Sequence, residues 1–476
     1  MISFVSVKIK IGLGAISLSE LAKLCGGIVV GNENLKFSFV CTDSREADEK
    51  TLFIAIRGER VDGHDYIAKA AELGCRCVLS EQAMPIEGID MGFVPVPDSV
   101  AALSDIAREA RRDEGRITVA ITGSVGKTTT KEMVGAALAS RDPYKTKGNY
   151  NSVIGLPLSM LEMEKGTKMA VFEMGMSGFS EIERMSLAAT PDIAIVTNIG
   201  SSHLEMLGSR ENIRKAKLEI TAGLKNGGIL LVNGDDPMLA SYDCGVKTLK
   251  VGMHSEGCDF RAVDINESDA GSEFTVIYPD KTKERFNIAL RGYHNVYAAL
   301  FGCAAAELLG IDRERVKRGL PRFGGVKMRQ NIYELGGVTV IEDCYNASPE
   351  SMRAAISVAS NMAKEGSKRF VALLGDMKEL GADAPMLHRE VGAFAAQRGL
   401  ELLVSYGELA KNIADGAEDG GVLVKRCDSA DADCAASILL SELAKGDLLL
   451  VKASRSMKAE NVIEIIKARM EINDNV

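Results

Sequence analysis

The segment ITVAITGSVGKTTTKEM (117–133) combines a short apolar run, a glycine-rich turn and a Gly-Lys-Thr triplet. A strand, a glycine turn and a helix beginning near Lys127 would aim backbone N–H groups at a bound anion. The common phosphate loop has a glycine six positions before its lysine. Here that position is Ile121, and the nearest glycine is Gly123. The sequence therefore predicts a nucleotide-phosphate site with a tighter loop than usual.

Each residue type in this loop suits a triphosphate. Glycines let the backbone approach phosphate oxygens closely. Lys127 would reach the β- and γ-phosphates, and the Thr128 hydroxyl would ligate Mg²⁺. A chance Gly-Lys-Thr is the alternative, and the intact strand–turn–helix context favours phosphate binding. The candidate ATP-binding residues of the loop are Gly123, Ser124, Val125, Gly126, Lys127, Thr128 and Thr129.

Three further residues have side chains that could take part in catalysis. Glu173 ends the apolar run MAVFE, where a carboxylate would suit a second Mg²⁺ or an attacking water. His203 lies in the Gly/Ser-rich segment TNIGSSHLEM, and a lone loop histidine is usually not a ligand. Lys217 follows Arg214 and Lys215 on a predicted helix, and on this pattern alone it is a solvated charge.

A second group of polar residues lies further along the chain. The Asn295 amide, near the start of a helix, could bind an adenine edge, and Arg329 at an apparent domain junction could reach a phosphate. Asp343 at a strand end could bind a ribose hydroxyl or a water on the phosphates. Asn346 follows in the turn before a helix and is a candidate substrate contact. Taken alone, each of these residues is a weak signal.

The elements that must position these residues alternate between strands and helices. Apolar runs at 118–122, 169–173, 192–197 and 229–232 predict a parallel sheet with helices on both faces, and 257–290 predicts an antiparallel insertion. The predicted fold class is α/β with three domains. These are a small N-terminal α/β domain with one helix (1–100), a central parallel-sheet phosphate-loop domain (101–325) and a C-terminal Rossmann-like doubly wound domain (326–476).

Composition limits the class of protein. The chain has 476 residues, 46% hydrophobic, with a net charge of −9, which argues against nucleic-acid or anionic-membrane partners. The ten cysteines show no C-x-x-C spacing and are expected to be buried and reduced. The N-terminal residues 1–14 are expected to form a strand rather than a signal peptide. No apolar run is long enough for a membrane span, so we expect a cytoplasmic protein.

Several motifs together resemble the Mur ligases, the ATP-dependent enzymes that build the peptide stem of peptidoglycan. The loop TGSVGKT (122–128) matches the compact loop of that family, which accounts for the missing outer glycine. The other matching segments, in family order, are TDSREADEKTLFIAIRGERVDGHDYI, GNYNSVIGLPLSML, FEMGMSGFSEIERM, TNIGSSHLEMLGSRENIRKAKLEI and NGDDP.

Two segments of the last domain, GDMKELG (375–381) and KASRSMKAENVI (452–463), are most similar to one branch of the family. That branch adds D-alanyl-D-alanine to UDP-N-acetylmuramoyl-tripeptide. The branch that adds the third amino acid usually carries an Asp-Asn-Pro-Arg segment, which is absent from this sequence. The resemblance therefore implies an ATP-dependent amide ligase that passes through an acyl phosphate.

The resemblance also implies a set of metal ligands. By position, Thr128, Glu173, His203 and Lys217 would hold two Mg²⁺ ions, with Lys217 carbamylated. Carbamylation makes physical sense of the placement, because it converts a cation into a carboxylate-like ligand. Lys127, Glu173, His203 and Lys217 are accordingly the predicted catalytic residues.

Substrate contacts follow from the same resemblance. Ser44 and Arg45 in TDSRE are candidates for the uridine nucleotide in the first domain, although capping and surface pairing explain them equally well. Asn149 and Asn151 are expected to line the central cleft near the acceptor carboxylate. ATP would lie between the second and third domains, and the third domain is expected to close on it. A monomer is the expected state.

Rival interpretations remain open from the sequence alone. Within ligases, these are the enzyme adding the third amino acid and a folylpolyglutamate synthase. From another class, a phosphate-loop kinase or NTPase would explain the loop but not the last domain. A non-catalytic nucleotide-sensing scaffold would not need Glu173, His203 and Lys217 together.

Overall fold

The computed structural model describes residues 8–58, 61–112 and 115–474. The predicted N-terminal strand lies partly outside the described residues, since residues 1–7 are not among them; the described part contains a strand over Lys8–Lys10. Within the described ranges, no helix is both long enough and apolar enough to span a bilayer.

The first domain is a six-stranded sheet beside a two-stranded ribbon. Its strands are β1 (Lys8–Lys10), β2 (Ile16–Ser17), β3 (Val30–Gly31), β4 (Lys36–Phe37), β5 (Phe39–Cys41), β6 (Thr51–Ile54), β7 (Cys77–Ser80) and β8 (Gly92–Pro95). The sheet order is β1-β5-β6-β7-β8-β3, with β5 to β8 parallel and both edge strands antiparallel.

Two helices, not the one predicted, precede the end of this sheet: α1 (Leu18–Cys25) and α2 (Ile67–Glu72). The sequence signal for α1 was present, because Ser17 and Glu20 form a reciprocal capping box. Gly26 adopts φ 65° and ends α1. A third helix, α3 (Ser99–Glu109), packs between this domain and the next.

The central domain is a nine-stranded sheet. Its strands are β9 (Ile117–Thr122), β10 (Tyr144–Lys145), β11 (Met169–Glu173), β12 (Ile193–Val196), β13 (Ile229–Asn233), β14 (Thr248–Gly252), β15 (Phe260–Ser268), β16 (Gly271–Ile277) and β17 (Lys283–Ile288). The order is β10-β11-β9-β12-β13-β14-β15-β16-β17. Because β9 lies between β11 and β12, the strand order reverses at β9. Doubly wound sheets bind ligands at the carboxyl ends of the strands beside such a reversal.

The four predicted apolar runs form β9, β11, β12 and β13, which confirms the parallel sheet. The antiparallel prediction for 257–290 is also confirmed, but it comprises three strands that extend the same sheet, with β15 parallel to β14. The strands β10 and β14 have no clear apolar run in the sequence, and they were not predicted. The helices of this domain are α4 (Lys127–Ala137), α5 (Gly155–Glu162), α6 (Glu181–Ala189), α7 (Leu204–Leu207), α8 (Arg210–Leu218), α9 (Pro237–Ala240), α10 (Tyr293–Leu308) and α11 (Arg313–Gly319).

The third domain has a six-stranded sheet in the order β18-β19-β23-β20-β21-β22, parallel except for the edge strand β18. The strands are β18 (Asn331–Leu335), β19 (Val338–Glu342), β20 (Phe370–Gly375), β21 (Leu402–Tyr406), β22 (Leu423–Cys427) and β23 (Leu448–Lys452). The helices are α12 (Pro349–Glu365), α13 (Ala384–Gln397), α14 (Ala410–Glu418), α15 (Ala432–Glu442) and α16 (Glu460–Asp474). The doubly wound prediction is confirmed.

The first and central domains share one hydrophobic core, which runs from Ile9 to Leu239 through α3 and α5. At their contact, the Gly12 N–H donates to the Leu161 carbonyl (2.9 Å), and a Cβ at Gly12 would lie 1.8 Å from the Met163 carbonyl oxygen. The third domain instead covers both faces of its sheet with its own residues. The first two domains are therefore packed as one body.

The junction to the third domain contains an unusual backbone. Met328 (φ 62°) and Gln330 (φ 51°) both adopt left-handed conformations, one on each side of Arg329. Such residues cost on the order of 1–3 kcal/mol each and persist only where surrounding contacts hold them. The junction thus has a defined geometry that fixes where Arg329 emerges.

Candidate active site

The predicted phosphate loop connects β9 to α4. Gly123 has φ 151°, and a Cβ there would lie 1.8 Å from Thr197 Oγ1, so no other residue fits. Gly126 (φ 82°) is the N-cap of α4. The amides of the first helical turn have no intrahelical acceptors, as at any helix N-terminus, and point towards the end of the sheet.

The segment that follows β12 forms hydrogen bonds with this loop. Asn198 makes two hydrogen bonds with Val125: its Oδ1 accepts from the Val125 N–H (3.0 Å) and its Nδ2 donates to the Val125 carbonyl (3.0 Å). The Gly200 N–H donates to Ser124 Oγ (2.8 Å). The sequence interpretation missed Asn198, although it directly follows an apolar run at the same sheet edge.

Lys127 lies over the loop itself. Its Nζ donates to the carbonyls of Gly123 (2.8 Å) and Ser124 (3.3 Å). Burial lowers the pKa of Lys127, and the nearby Glu173 carboxylate opposes that shift. The ammonium is thus already held at the loop where a phosphate would sit.

Glu173 ends β11 beside the phosphate loop and is 2% exposed. Its Oε2 accepts from Thr128 Oγ1 (2.9 Å), and its Oε1 accepts from Asn151 Nδ2 (2.8 Å). The structure therefore brings together three residues predicted separately. Within the described residues, both carboxylate oxygens have only neutral hydrogen-bond donors, so this buried anion suits a cation.

Mg²⁺ prefers such oxygen ligands and usually takes several more from substrate phosphates and water. In the described ranges, no group of three or more His, Cys, Asp or Glu side chains could hold a metal by itself. Thr128 and Glu173 fit a metal ion that is completed by a bound nucleotide.

Lys217 is not a solvated charge, and that interpretation from its neighbours is wrong. It is 1% exposed, because Ile213, Ala216 and Lys217 form the buried face of α8. Burial and the positive charge of Lys127 lower the pKa of Lys217 well below its ordinary range. The spacing of Ile213, Ala216 and Ile220 around it was a signal of burial in the sequence.

His203 is the N-cap of α7 with φ 66°, and its Nδ1 lies 2.7 Å from Glu379 Oε2 of the third domain. Glu379 also has φ 66°, and its carbonyl accepts from the Glu205 N–H (3.1 Å). The adjacent His203 ring lowers the pKa of Glu379. Glu379 lies in GDMKELG, but the sequence interpretation assigned it no role.

Asn295 and His294 lie at the start of α10, where they meet the domain junction. Asn295 Nδ2 donates to Gln330 Oε1 (2.7 Å) and to the Arg291 carbonyl (2.7 Å). His294 Nε2 lies 3.1 Å from the same Gln330 oxygen. Gln330, which was not predicted, therefore shares this polar corner with Asn295.

Arg329 and Asp343 reach the same region from the third-domain side. The Arg329 guanidinium stacks 4.2 Å from the centroid of Tyr345. Asp343 Oδ2 accepts from Lys452 Nζ (2.7 Å), and Lys452 also donates to the Asn346 carbonyl (2.9 Å). Lys452 is buried and was not predicted as a site residue.

One cavity lies between the central and third domains, and Lys217, His203 and Glu379 are not part of its wall. Among the predicted residues, the cavity wall includes Ser124, Val125, Gly126, Lys127, Thr128, Thr129, Glu173, Asn295, Arg329, Asp343 and Asn346. Asn346, predicted as a substrate contact, thus lies among the ATP candidates.

The other candidate substrate contacts lie outside this cavity wall. Ser44 is buried in a short 3₁₀ helix, and Arg45 is exposed and paired with Asp43 (Nη2 to Oδ2, 2.6 Å). Asn149 is exposed, and Asn151 reaches the site only through Glu173. Their predicted roles stay predictions.

Three family models match this chain, and the chain belongs to the Mur ligase family. The matches are the Mur ligase family catalytic domain (residues 36–111), the Mur ligase middle domain (121–306) and the Mur ligase glutamate ligase domain (328–455).

Within the family, the chain is similar to one group of enzymes. It is 39% identical over 428 residues to the UDP-N-acetylmuramoyl-tripeptide–D-alanyl-D-alanine ligase of Bacillus subtilis, covering 89% of this chain and 92% of that protein. A crystal structure of MurF from Acinetobacter baumannii gives a TM-score of 0.85 at 28% identity, covering 97% of this chain and all of that one. MurF ligase from Thermotoga maritima in complex with ADP gives 0.79 at 30% identity, covering 91% and 98%.

Proposed function

We propose that this protein joins D-alanyl-D-alanine to UDP-N-acetylmuramoyl-tripeptide and converts ATP to ADP and phosphate. One observation carries the proposal: a cavity that joins a phosphate loop to polar third-domain residues, in a chain similar over nine-tenths of its length to such a ligase. A phosphate-loop kinase or switch would leave the third-domain half of this cavity without a role.

The reaction begins when the terminal carboxylate of the tripeptide attacks the γ-phosphate of ATP, giving an acyl phosphate and ADP. The amine of D-alanyl-D-alanine then attacks the acyl carbon, and phosphate leaves. The difficulty is electrostatic, because an anion must approach a triphosphate. Lys127 and the amides of the first turn of α4 supply positive charge and hold the phosphates in line.

Thr128 and Glu173 would hold one Mg²⁺, and His203 and a carbamylated Lys217 would help to hold a second. Bound there, the ions would neutralise phosphate charge during transfer. Lys217 is suited to carbamylation because its lowered pKa favours the neutral amine, which is the form that reacts with carbon dioxide. As a carbamate it would no longer bring a second positive charge beside Lys127.

The nucleoside of ATP is assigned to the junction side of the cavity. The corner formed by Asn295 and Gln330 suits an adenine edge, and Arg329 suits a phosphate. Asp343, oriented by Lys452, suits a ribose hydroxyl, with Asn346 beside it.

The acceptor nucleotide is assigned to the first domain, with Ser44 and Arg45 at the uridine end. Arg45 would have to exchange its pairing with Asp43 for the ligand. Asn149 and Asn151 would line the path of the peptide to Glu173. We assign the reaction to a monomer in the cytoplasm.

The test is phosphate release from ATP by the purified protein with UDP-N-acetylmuramoyl-tripeptide and either D-alanyl-D-alanine or single amino acids. Release should require both the nucleotide and the dipeptide, with the amide product seen by mass spectrometry. Preference for a single amino acid with the UDP-dipeptide would favour the branch adding the third residue, and turnover of a folate with glutamate would favour folylpolyglutamate synthase. Phosphate release that needs no amine acceptor would contradict the ligase proposal.

The Lys127→Ala variant should abolish turnover, since the loop would lose the cation that faces the transferred phosphate. Lys69→Ala is the matched control, because Lys69 is exposed in the first domain and pairs only with Glu72 among the described residues (2.9 Å). An active Lys127→Ala variant would contradict the assigned role of the loop.

A further inference from the structure

Two consecutive residues of the central domain donate hydrogen bonds in opposite directions. The Gly200 N–H donates to Ser124 Oγ in the phosphate loop (2.8 Å). The Ser201 N–H and Oγ both donate to Glu350 Oε1 of the third domain, at 2.9 and 3.0 Å. One peptide unit therefore separates a contact to the phosphate loop from a contact to the other domain.

The rest of this segment, residues 197–201, is tied both to the phosphate loop and to its own domain. The Ile199 N–H donates to Asp236 Oδ2 (2.7 Å), and the Ile199 carbonyl accepts from Arg210 Nη2 (2.6 Å). Thr197 Oγ1 donates to the Val125 carbonyl (2.7 Å), and Asn198 makes its two bonds with the same residue. The Ser124 N–H donates to the Asn198 carbonyl (3.0 Å). Displacement of the residues of this segment that contact the loop would therefore displace Ser124 and Val125 as well.

Glu350 approaches this segment from the first turn of α12. The approach is close, since a Cβ at position 200 would lie 2.7 Å from Glu350 Cδ, and its three nearest atoms all belong to that carboxyl group. Glu350 Oε2 is buried and has no hydrogen-bond partner among the described residues. The unpartnered Oε2 reduces the net stabilisation that this contact gives. The contact also joins two domains, so it forms only when the third domain is packed against the central domain.

We infer that Glu350 is a positioning residue for the proposed ligase reaction. It does not line the ATP cavity. Instead it holds residues 197–201, and through them Ser124 and Val125, in the arrangement that receives the phosphates. Seating of the third domain is thereby linked to the shape of the phosphate loop. The catalytic consequence rests on the proposed function, whereas the structural link does not.

The first test compares Glu350→Ala with Glu350→Gln. The alanine variant loses both hydrogen bonds from Ser201 to a charged group and should lower kcat about tenfold, with the KM for the UDP-tripeptide unchanged. The glutamine variant keeps a carbonyl acceptor for Ser201 and should stay within about threefold of wild type. In hydrogen-exchange mass spectrometry with ADP bound, the peptide spanning 123–128 should exchange faster in the alanine variant only.

A second test disrupts the same contact by a substitution in the central domain. Gly200→Ala should push the carboxyl group away and reproduce the Glu350→Ala exchange pattern. Combining the two changes should be no worse than Glu350→Ala alone, because the carboxyl atoms that the added methyl group would strike are gone. Glu390→Ala is the control. Glu390 pairs with Arg353, which lies on α12 as Glu350 does (2.7 Å), but this contact is exposed and stays within the third domain.

Unchanged exchange at 123–128 in both Glu350→Ala and Gly200→Ala would overturn the inference, as would additive losses in the double variant. A glutamine variant as impaired as the alanine variant would also count against it. Failure of the proposed function is distinguishable, because then wild type would make no amide product while the exchange comparison would still report on the link.

Discussion

His203 Nδ1 and Glu379 Oε2 lie 2.7 Å apart, although the two residues belong to different domains and both have a left-handed backbone. A carboxylate on Nδ1 fixes which ring nitrogen carries the proton and leaves Nε2 for another partner. The contact can form only when the third domain is seated, so the orientation of His203 depends on a residue from outside its own domain.

Removing this carboxylate should therefore impair turnover more than folding. We expect Glu379→Ala to lower kcat by about 10–100-fold, the usual cost of losing a partner that orients a ligating histidine. Steady-state phosphate release would measure this, and small-angle scattering with ADP would show whether the domains stay seated. Glu205→Ala is the control, because Glu205 contributes only its backbone N–H to the contact. Equal kcat values for the two variants would contradict the prediction.

Lys217 should be needed as a carbamate rather than as an ammonium. We expect Lys217→Ala to lower kcat on the order of 100-fold, as for the loss of a charge-stabilising group, and short carboxylic acids to restore part of it. Intact-protein mass spectrometry of wild type should show the carbamate. Lys215→Ala, an exposed neighbour on the same helix, should behave as wild type. Absence of both rescue and carbamate would remove Lys217 from the metal site.

Gly123 should be the least replaceable residue of the phosphate loop. In Gly123→Ala the new Cβ would collide with Thr197 Oγ1, and relief would require a shift of the loop costing about 1–3 kcal/mol. We expect ADP binding, measured by calorimetry, to weaken at least tenfold. Gly310→Ala, also at positive φ (66°) but with no heavy atom near its Cβ, separates the collision from backbone strain. Unchanged ADP affinity in Gly123→Ala would refute the collision.

Asp62 should stabilise the first domain in a pH-dependent way. Hydrogen bonds from the His64 N–H and the His64 ring lower the pKa of Asp62 from 3.8 to about 2. Because the folded-state pKa is the lower one, the stabilisation is present above about pH 4 and is lost as the pH falls to about 2. Asp62→Asn should be less stable than wild type near neutral pH, with the difference disappearing across that window.

Hydrogen exchange of first-domain peptides, compared between the two proteins at each pH, would measure this difference without assuming two-state unfolding. Asp65→Asn is the control, because Asp65 is exposed in the short 3₁₀ helix Gly63–Tyr66, which Asp62 caps. A stability difference that persists unchanged to pH 2 would mean that the Asp62 charge is not its source.

The sequence indicated the features that repeat locally. The parallel strands, the loop from Gly123 to Thr128 and the strand-end position of Glu173 follow from short-range patterns of apolar and turn residues. Contacts between domains have no such pattern: Ser201 and Glu350 are 149 positions apart, and neither stands out among its neighbours. Lys217 was a different case, because its charged neighbours suggested exposure while the helical spacing around it indicated burial.

The core shared by the first and central domains has a consequence for folding. Three sheets do not make three independent folding units here, because removing the first domain would expose the apolar side chains of α3 and α5. The third domain has its own core on both faces of its sheet, so we expect it to unfold and refold by itself. Heating should therefore release the third domain and the other two as separate cooperative units, and a chain ending before residue 326 should keep its structure while losing half of the ATP cavity.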